Sequence, residues 1–168
     1  KPINMVVPFA AGGSNDIVAR AIGKKLGEAW GQTVIIDNRA GAGGVIGAAH
    51  VANAAPDGYT LLLISSTYTI NPAVKSNMPF DTFKAFDPVA FIASSPLLMA
   101  SANKLPITSA KDLIDLARRK PGSINYASAG PGSINQIAAE MFASAAGIKL
   151  LHVPYKGGAL AVNDLVGG

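Results

Sequence analysis

Met5-Val-Val-Pro-Phe-Ala-Ala-Gly-Gly-Ser-Asn-Asp16 is the stretch that decides how this chain folds. An apolar run stops at a proline, passes through paired glycines and enters a segment of helical spacing, so 3–7 is predicted as a buried strand and 16–29 as a helix. Gly12 and Gly13 let the main chain approach a ligand while the first helical N–H groups point toward it. The unit is a strand, an anion-ready loop and a helix start, a site made largely of main chain.

The same plan recurs outward from it. Ile17, Val18, Ala21, Ile22 and Leu26 keep the helical period until Gly31 closes the segment, and 33–36 is the next β-branched run. Asp37-Asn-Arg-Ala-Gly-Ala-Gly-Gly44 then leads into a small-residue helix over 45–54. Ala55-Pro-Asp-Gly58 is a turn, and 59–64 is a strand whose unbroken Leu61, Leu62 and Leu63 suit a sheet covered on both faces. Hydroxyl-rich residues 65–69 follow at its C-terminal end, where open α/β sheets hold ligands, and a short helix runs to Val74. Residues 76–88 read as an irregular connection with aromatic anchors, and 89–93 and 97–100 as two short strands near an edge or a crossover. Composition shifts over 101–106, which places a first lobe at 1–102 and a partial second lobe at 103–168.

Ser109, three residues before Asp112, marks the start of a helix carrying Leu113, Ile114, Leu116 and Ala117. Residues 124–127 form a strand, Ser128-Ala-Gly-Pro-Gly-Ser133 a loop, and 134–146 a helix. A strand at 150–153, the loop Pro154-Tyr-Lys-Gly-Gly158 and a helix over 159–166 complete the reading. The expected class is α/β, with two Rossmann-like lobes of mainly parallel sheet.

Composition narrows the function. With 168 residues, 49% hydrophobic and 14% charged, the chain can bury a real core. Its 14 Lys and Arg against 10 Asp and Glu are dispersed; the one cluster, Arg118-Arg119-Lys120, sits at a helix end, so nucleic acid is not an expected partner. No Cys occurs, which removes disulfides, thiolate nucleophiles and Cys-ligated zinc, and no His/carboxylate set has metal spacing. No run approaches the ~18 apolar residues of a membrane span.

Loops 9–16, 65–69, 128–133 and 155–158 all leave the C-terminal ends of predicted parallel strands, and in a two-lobe fold they line one cleft. Gly41-Ala-Gly-Gly-Val-Ile-Gly47 is a weak near-match to a dinucleotide loop, with Ile46 at the third glycine position and no acid after the next strand; no Gly-Lys-Ser/Thr is present. His50 and His152 read as structural histidines. Asp16 reads as a cap or helix-dipole partner, Asp164 as solvated or paired with Lys156, and Arg39 as a loop salt bridge. The alternative to binding is a small hydrolase or transferase using loop serines with His152.

Val6-Val-Pro-Phe-Ala-Ala-Gly-Gly-x-x-Asp16, Asp37-Asn-Arg-Ala-Gly-Ala-Gly-Gly44, Ala55-Pro-Asp-Gly-Tyr59, Tyr126-Ala-Ser-Ala-Gly-x-Gly-Ser133 and His152-Val-Pro-Tyr-Lys-Gly157 together resemble the substrate-binding proteins of tripartite tricarboxylate transporters, the Bug family. The resemblance implies a periplasmic two-lobe protein of type II topology that holds a small carboxylated solute for membrane transporter subunits or a sensor, without catalysis, cofactor or metal. Carried over by position, it implies ligand contacts at Phe9, Ala11, Gly12, Gly13, Ser14, Asn15 and Asp16, and at Ser65, Ser66 and Thr67. From the second lobe it implies Ala127, Ser128, Gly130, Ser133 and Gln136, the last standing where many relatives have a histidine. The family's chain continues past Gly168, so this chain reads as truncated, with uncovered apolar edges and either self-association or a damaged second lobe expected.

Overall fold

The structure is a computed structural model that describes residues 1–167. Strand β1 (Ile3–Val7) lies at the centre of a three-stranded parallel sheet, flanked by β2 (Val34–Asn38) and β3 (Thr60–Leu62). Met5 stands opposite Ile36 on one side and Leu61 on the other. All three strands therefore end at one edge, and each connection back is a crossover carrying a helix.

Alternation along β1 explains why it is central. Met5 and Val7 face helix α1 (Ser14–Trp30) and share its core with Ala19, Val18, Ile22 and Leu26. Val6 points the opposite way, on the side of α2 (Val45–Ala52), where Val45 and Ala48 are buried. Val6 and Val7 are fully buried, worth about 1.5–3 kcal/mol each on transfer from water. Helix α1 ends at Gly31 in the left-handed conformation (φ 62°), as its place after the last apolar turn requires.

Helix α3 (Thr67–Val74) follows β3, and Tyr68 on it packs against Phe80 and Phe86 while its hydroxyl donates to Thr82 O. Those contacts tether the irregular connection; Phe83 stays exposed. The strands expected at 89–93 and 97–100 are not formed. Residues 86–102 carry no regular structure, and Val89, Phe91 and Leu98 are 85%, 86% and 91% exposed. The apolar runs are present, but among the described residues no neighbouring strand offers the ladder that would make them β.

The second unit starts with α4 (Ala110–Arg119), capped by Ser109, whose hydroxyl accepts from Asp112 N–H at 3.2 Å. Strands β4 (Asn125–Ser128) and β5 (Leu151–Pro154) pair in parallel, with Tyr126 opposite His152. Between them α5 (Ile134–Ala146) runs from a Ser133 cap to a left-handed Gly147. Leu113, Ala117, Ile124, Ala143 and Ile148 form a separate core. Helix α6 (Gly158–Gly167), expected over 159–166, follows β5. Two parallel α/β units thus present the C-terminal ends of their strands as loops.

Candidate functional site

Those loops meet. Gly43, in a 3-10 turn spanning Ala42–Gly44 after β2, approaches Pro131 so closely that an added Cβ would fall under 3.0 Å from the Pro131 carbonyl oxygen. Its left-handed φ of 62° excludes a side chain for a second reason. A Cβ at Gly157 would meet Ala10 at 2.9 Å. Across the same seam, Ile134 N–H donates to Thr67 Oγ1 at 3.1 Å, joining the start of α5 to that of α3. The two units are therefore in direct contact along this seam.

Between the loops lies a cavity of about 140 Å³. Phe9 and residues 41–44 line it from the first unit, and 129–131 and 154–156 from the second. Gly41, Gly43, Gly44 and Gly130 contribute main chain alone, and among the described residues Lys156 is the one Lys, Arg, Asp, Glu or His on the wall. A smaller space of about 10 Å³ adjoins it, bounded by Phe9, Ser65, Thr67 and Asn71.

The opening loop is held by a buried carboxylate. Asp16, 3% exposed, accepts from Gly12 N–H at 2.8 Å and from Arg20 Nε at 2.9 Å. Arg20 continues to Asn38 Oδ1, and Asn38 Nδ2 donates to Phe9 O at 3.1 Å. The Arg20 guanidinium keeps the Asp16 carboxyl below its ordinary value of 3.8; burial opposes this, and the Gly12 amide supports it. Asp16 braces the loop from within and sits at the positive end of α1, whose Gly13 cap supplies no side chain.

The turn after β2 is fixed from behind. Asn71 Nδ2 donates to Gly43 O at 3.1 Å, and the Lys75 ammonium donates to Ala42 O at 2.9 Å. Arg39 pairs with Asp37 at 2.6 Å, as a loop salt bridge does.

The second unit's hydroxyls are turned inward. Ser128, 2% exposed, accepts from Gly130 N–H at 3.1 Å, and its Oγ lies 2.7 Å from His152 Nε2. The His152 ring stacks on Tyr126, whose hydroxyl donates to Glu140; burial first, then that carboxylate, pushes the Tyr126 phenol strongly up. Ser133 caps α5, and Gln136 Oε1 accepts from Gly132 N–H at 2.7 Å, so both serve the loop's own turn. Asp164 accepts from the Tyr155 hydroxyl rather than pairing with Lys156.

Of the residues expected from sequence, Phe9 and Gly130 line the larger cavity, and Ser65 and Thr67 the smaller space beside it. Ala11, Gly12 and Ser14 are exposed on the opening loop, Gly13 and Asn15 half-buried, and Ser66 and Ala127 exposed at strand ends. Asp16, Ser128, Ser133 and Gln136 act on loop geometry. Residues 41–44 are absent from the expected contacts, and Lys156 was expected only as part of the cleft-lining loop 155–158, not as a named contact. The strand, glycine loop, helix plan at 37–54 was the signal for the first, and the cation in Pro154-Tyr-Lys-Gly-Gly158 for the second.

Ser128 and His152 bring two members of a nucleophilic set together, but the hydroxyl is buried and already accepts from its own loop. Among the described residues no carboxylate bonds the other ring nitrogen of His152. No group of His, Cys, Asp or Glu among them is placed to hold a metal ion, and no described helix is long and apolar enough to cross a membrane.

Two parallel α/β lobes whose strand-end loops meet over a small cavity define the periplasmic-binding-protein fold class. A family model described as "Tripartite tricarboxylate transporter family receptor" matches residues 18–168, and the chain belongs to that family. The protein BugT of Bordetella pertussis is 38% identical over all of this chain and 52% of its own. A structure described as periplasmic binding protein BugD superposes with a TM-score of 0.94 at 37% identity, covering 99% of this chain and 56% of that one. An R. palustris protein solved with adipate superposes with a TM-score of 0.93 at 38% identity, covering 98% and 55%. The chain spans about half the length of the curated relatives it matches.

Proposed function

We propose that this chain is the ligand-capturing part of a periplasmic solute-binding protein that holds a small carboxylate between its lobes. It then presents the closed form to the membrane subunits of a tripartite tricarboxylate-type transporter or to a sensor. The observation that carries the reading is the inter-lobe cavity, walled by glycine main chain and by Lys156, with no acidic side chain on it. A carboxylate there would gain about 1.5–3 kcal/mol from each charge-assisted hydrogen bond, so a few contacts reach the ~8 kcal/mol of micromolar affinity. The relative solved with adipate supports a carboxylated solute.

In this reading the lobes divide at 102/103. Loops 9–16, 65–69 and 127–136 meet the solute directly or set the turns that do, with 41–44 added to them. Closure is the signal the transporter reads. Calorimetry with mono-, di- and tricarboxylates and aromatic acids tests the proposal: micromolar binding of at least one is expected, and no binding below millimolar across the panel refutes it.

A further inference from the structure

The buried Ser128 hydroxyl has more neighbours than its one proton can serve. Its oxygen accepts from Gly130 N–H at 3.1 Å and lies 2.7 Å from His152 Nε2 and 3.3 Å from Gly130 O. A serine hydroxyl donates once, so the proton goes either to Nε2 or to Gly130 O, and the imidazole decides which. With Nε2 bare, Ser128 donates to the ring, and Gly130 O keeps the Ser133 N–H at 3.1 Å. With Nε2 protonated, the ring donates to Ser128, whose own proton turns to Gly130 O and holds Gly130 at both its N–H and its carbonyl. An imidazolium permits only the second arrangement.

What the ring sets in this way is the wall of the cavity. Gly130 lines it at φ 119°, and a Cβ there would stand 3.0 Å from Tyr155 O and 3.7 Å from Gly43 N of the first lobe. The next residue, Pro131, is the one that meets Gly43 across the seam. The β4–β5 register places the imidazole opposite Tyr126, and the two rings stack with centroids 4.9 Å apart. Glu140 on α5 is engaged by the Tyr126 phenol, and Asp164 on α6 by the Tyr155 hydroxyl; Lys156 follows in the loop after β5. Among the described residues no charged group bonds the imidazole, which leaves Ser128 as its hydrogen-bond partner.

We propose that His152 is a proton-dependent positioning residue of the cleft. Acting through the Ser128 hydroxyl, it sets the wall formed by Gly130 and Pro131, and the protonated ring makes that wall bind an anion more tightly. The inference rests on the carboxylate reading above and adds a pH dependence and the residue that produces it. Both effects of the proton run the same way: it fixes Gly130, and it places a positive charge behind a wall that carries no carboxylate. Histidine is the side chain whose ordinary charge change falls between pH 5 and 8, which sets the range of the test.

The test has two parts on the 168-residue chain. In the ligand-free chain, NMR of the amides and ring nitrogens is expected to show the Gly130 amide following the His152 ring through one common transition. In Ser128→Ala the ring is expected to titrate without the amide. In calorimetry, adipate, or the tightest acid of the panel above where adipate is not bound, is expected to gain about threefold or more in affinity from pH 8 to pH 6, and His152→Gln to flatten that dependence. A Gly130 amide that ignores the ring, or follows it in Ser128→Ala, overturns the assignment and leaves the carboxylate reading standing. Equal affinity at pH 6 and pH 8 in the unsubstituted chain, or a dependence that persists in His152→Gln, does the same. No binding by any acid of the panel, with the Gly130 amide still following the ring, overturns the carboxylate reading and with it the binding role of His152.

Discussion

Replacing Gly43 with alanine tests whether the lobes meet as described, and Gly31 supplies the control. Both glycines are left-handed at φ 62°. A Cβ at Gly31 meets nothing within 4 Å, whereas at Gly43 it presses under 3.0 Å on the Pro131 carbonyl of the opposite lobe. Left-handed backbone alone costs an alanine about 1–2 kcal/mol, so Gly31→Ala should lose that much. Gly43→Ala carries the same strain plus ~1–3 kcal/mol of overpacking, about 2–5 kcal/mol in total while the lobes stay closed. At ~2–4 °C per kcal/mol for a chain of this size, thermal unfolding should separate the variants by several degrees. If the seam opens instead, the stability loss shrinks toward the control, and adipate affinity falls by about tenfold or more because Gly43 lines the cavity. Equal melting shifts for Gly31→Ala and Gly43→Ala, with adipate affinity unchanged in both, would refute the inter-lobe contact.

Three further outcomes follow from individual groups. Because Arg20 and the Gly12 amide lower the folded-state pKa of Asp16 below 3.8, its charge stabilises the fold above that pH and the benefit is lost as pH falls through the folded value. The stability advantage over Asp16→Asn in urea titrations should therefore be full at pH 6 and shrink below pH ~4; a constant difference would contradict the Asp16–Arg20 clasp. The exposed apolar residues of 89–100 should drive concentration-dependent association, read by light scattering after size-exclusion chromatography; a strict monomer at about 100 μM contradicts that expectation. With Ser128 buried against its own loop, 4-nitrophenyl acetate should hydrolyse at the buffer rate, and turnover abolished by Ser128→Ala would overturn the binding reading.

The parts of the fold that sequence revealed are those governed by neighbours along the chain. The change from a continuous apolar run to helical spacing across Pro8, Gly12 and Gly13 marked β1 and α1 to within two residues at each end. Ser133 and Gly147 bracketed α5, since a capping hydroxyl and a left-handed glycine are local requirements. Residues 89–93 and 97–100 misled because an apolar run states that a segment wants burial, not that a partner strand stands beside it. The site was legible as a set of loops at strand ends but not as a surface. Which loop touches which depends on the placement of two sheets, so the approach of Gly43 to Pro131 left no trace in either segment. Ser128 and His152 stand 24 residues apart and meet because Tyr126 pairs with His152 in the β4–β5 register. Asp164 reached Tyr155 rather than Lys156 and so left the cation on the cavity wall.

The most direct test of the central claim, that the seam between the two lobes is where a small carboxylate binds, is an amide-resolved NMR titration of the chain with adipate. Saturable shifts concentrated at Phe9 and at residues 41–44, 129–130 and 155–156 are the predicted result. Shifts confined to the exposed 89–100 segment or to the outer helices, with those amides unmoved at millimolar adipate, would contradict it.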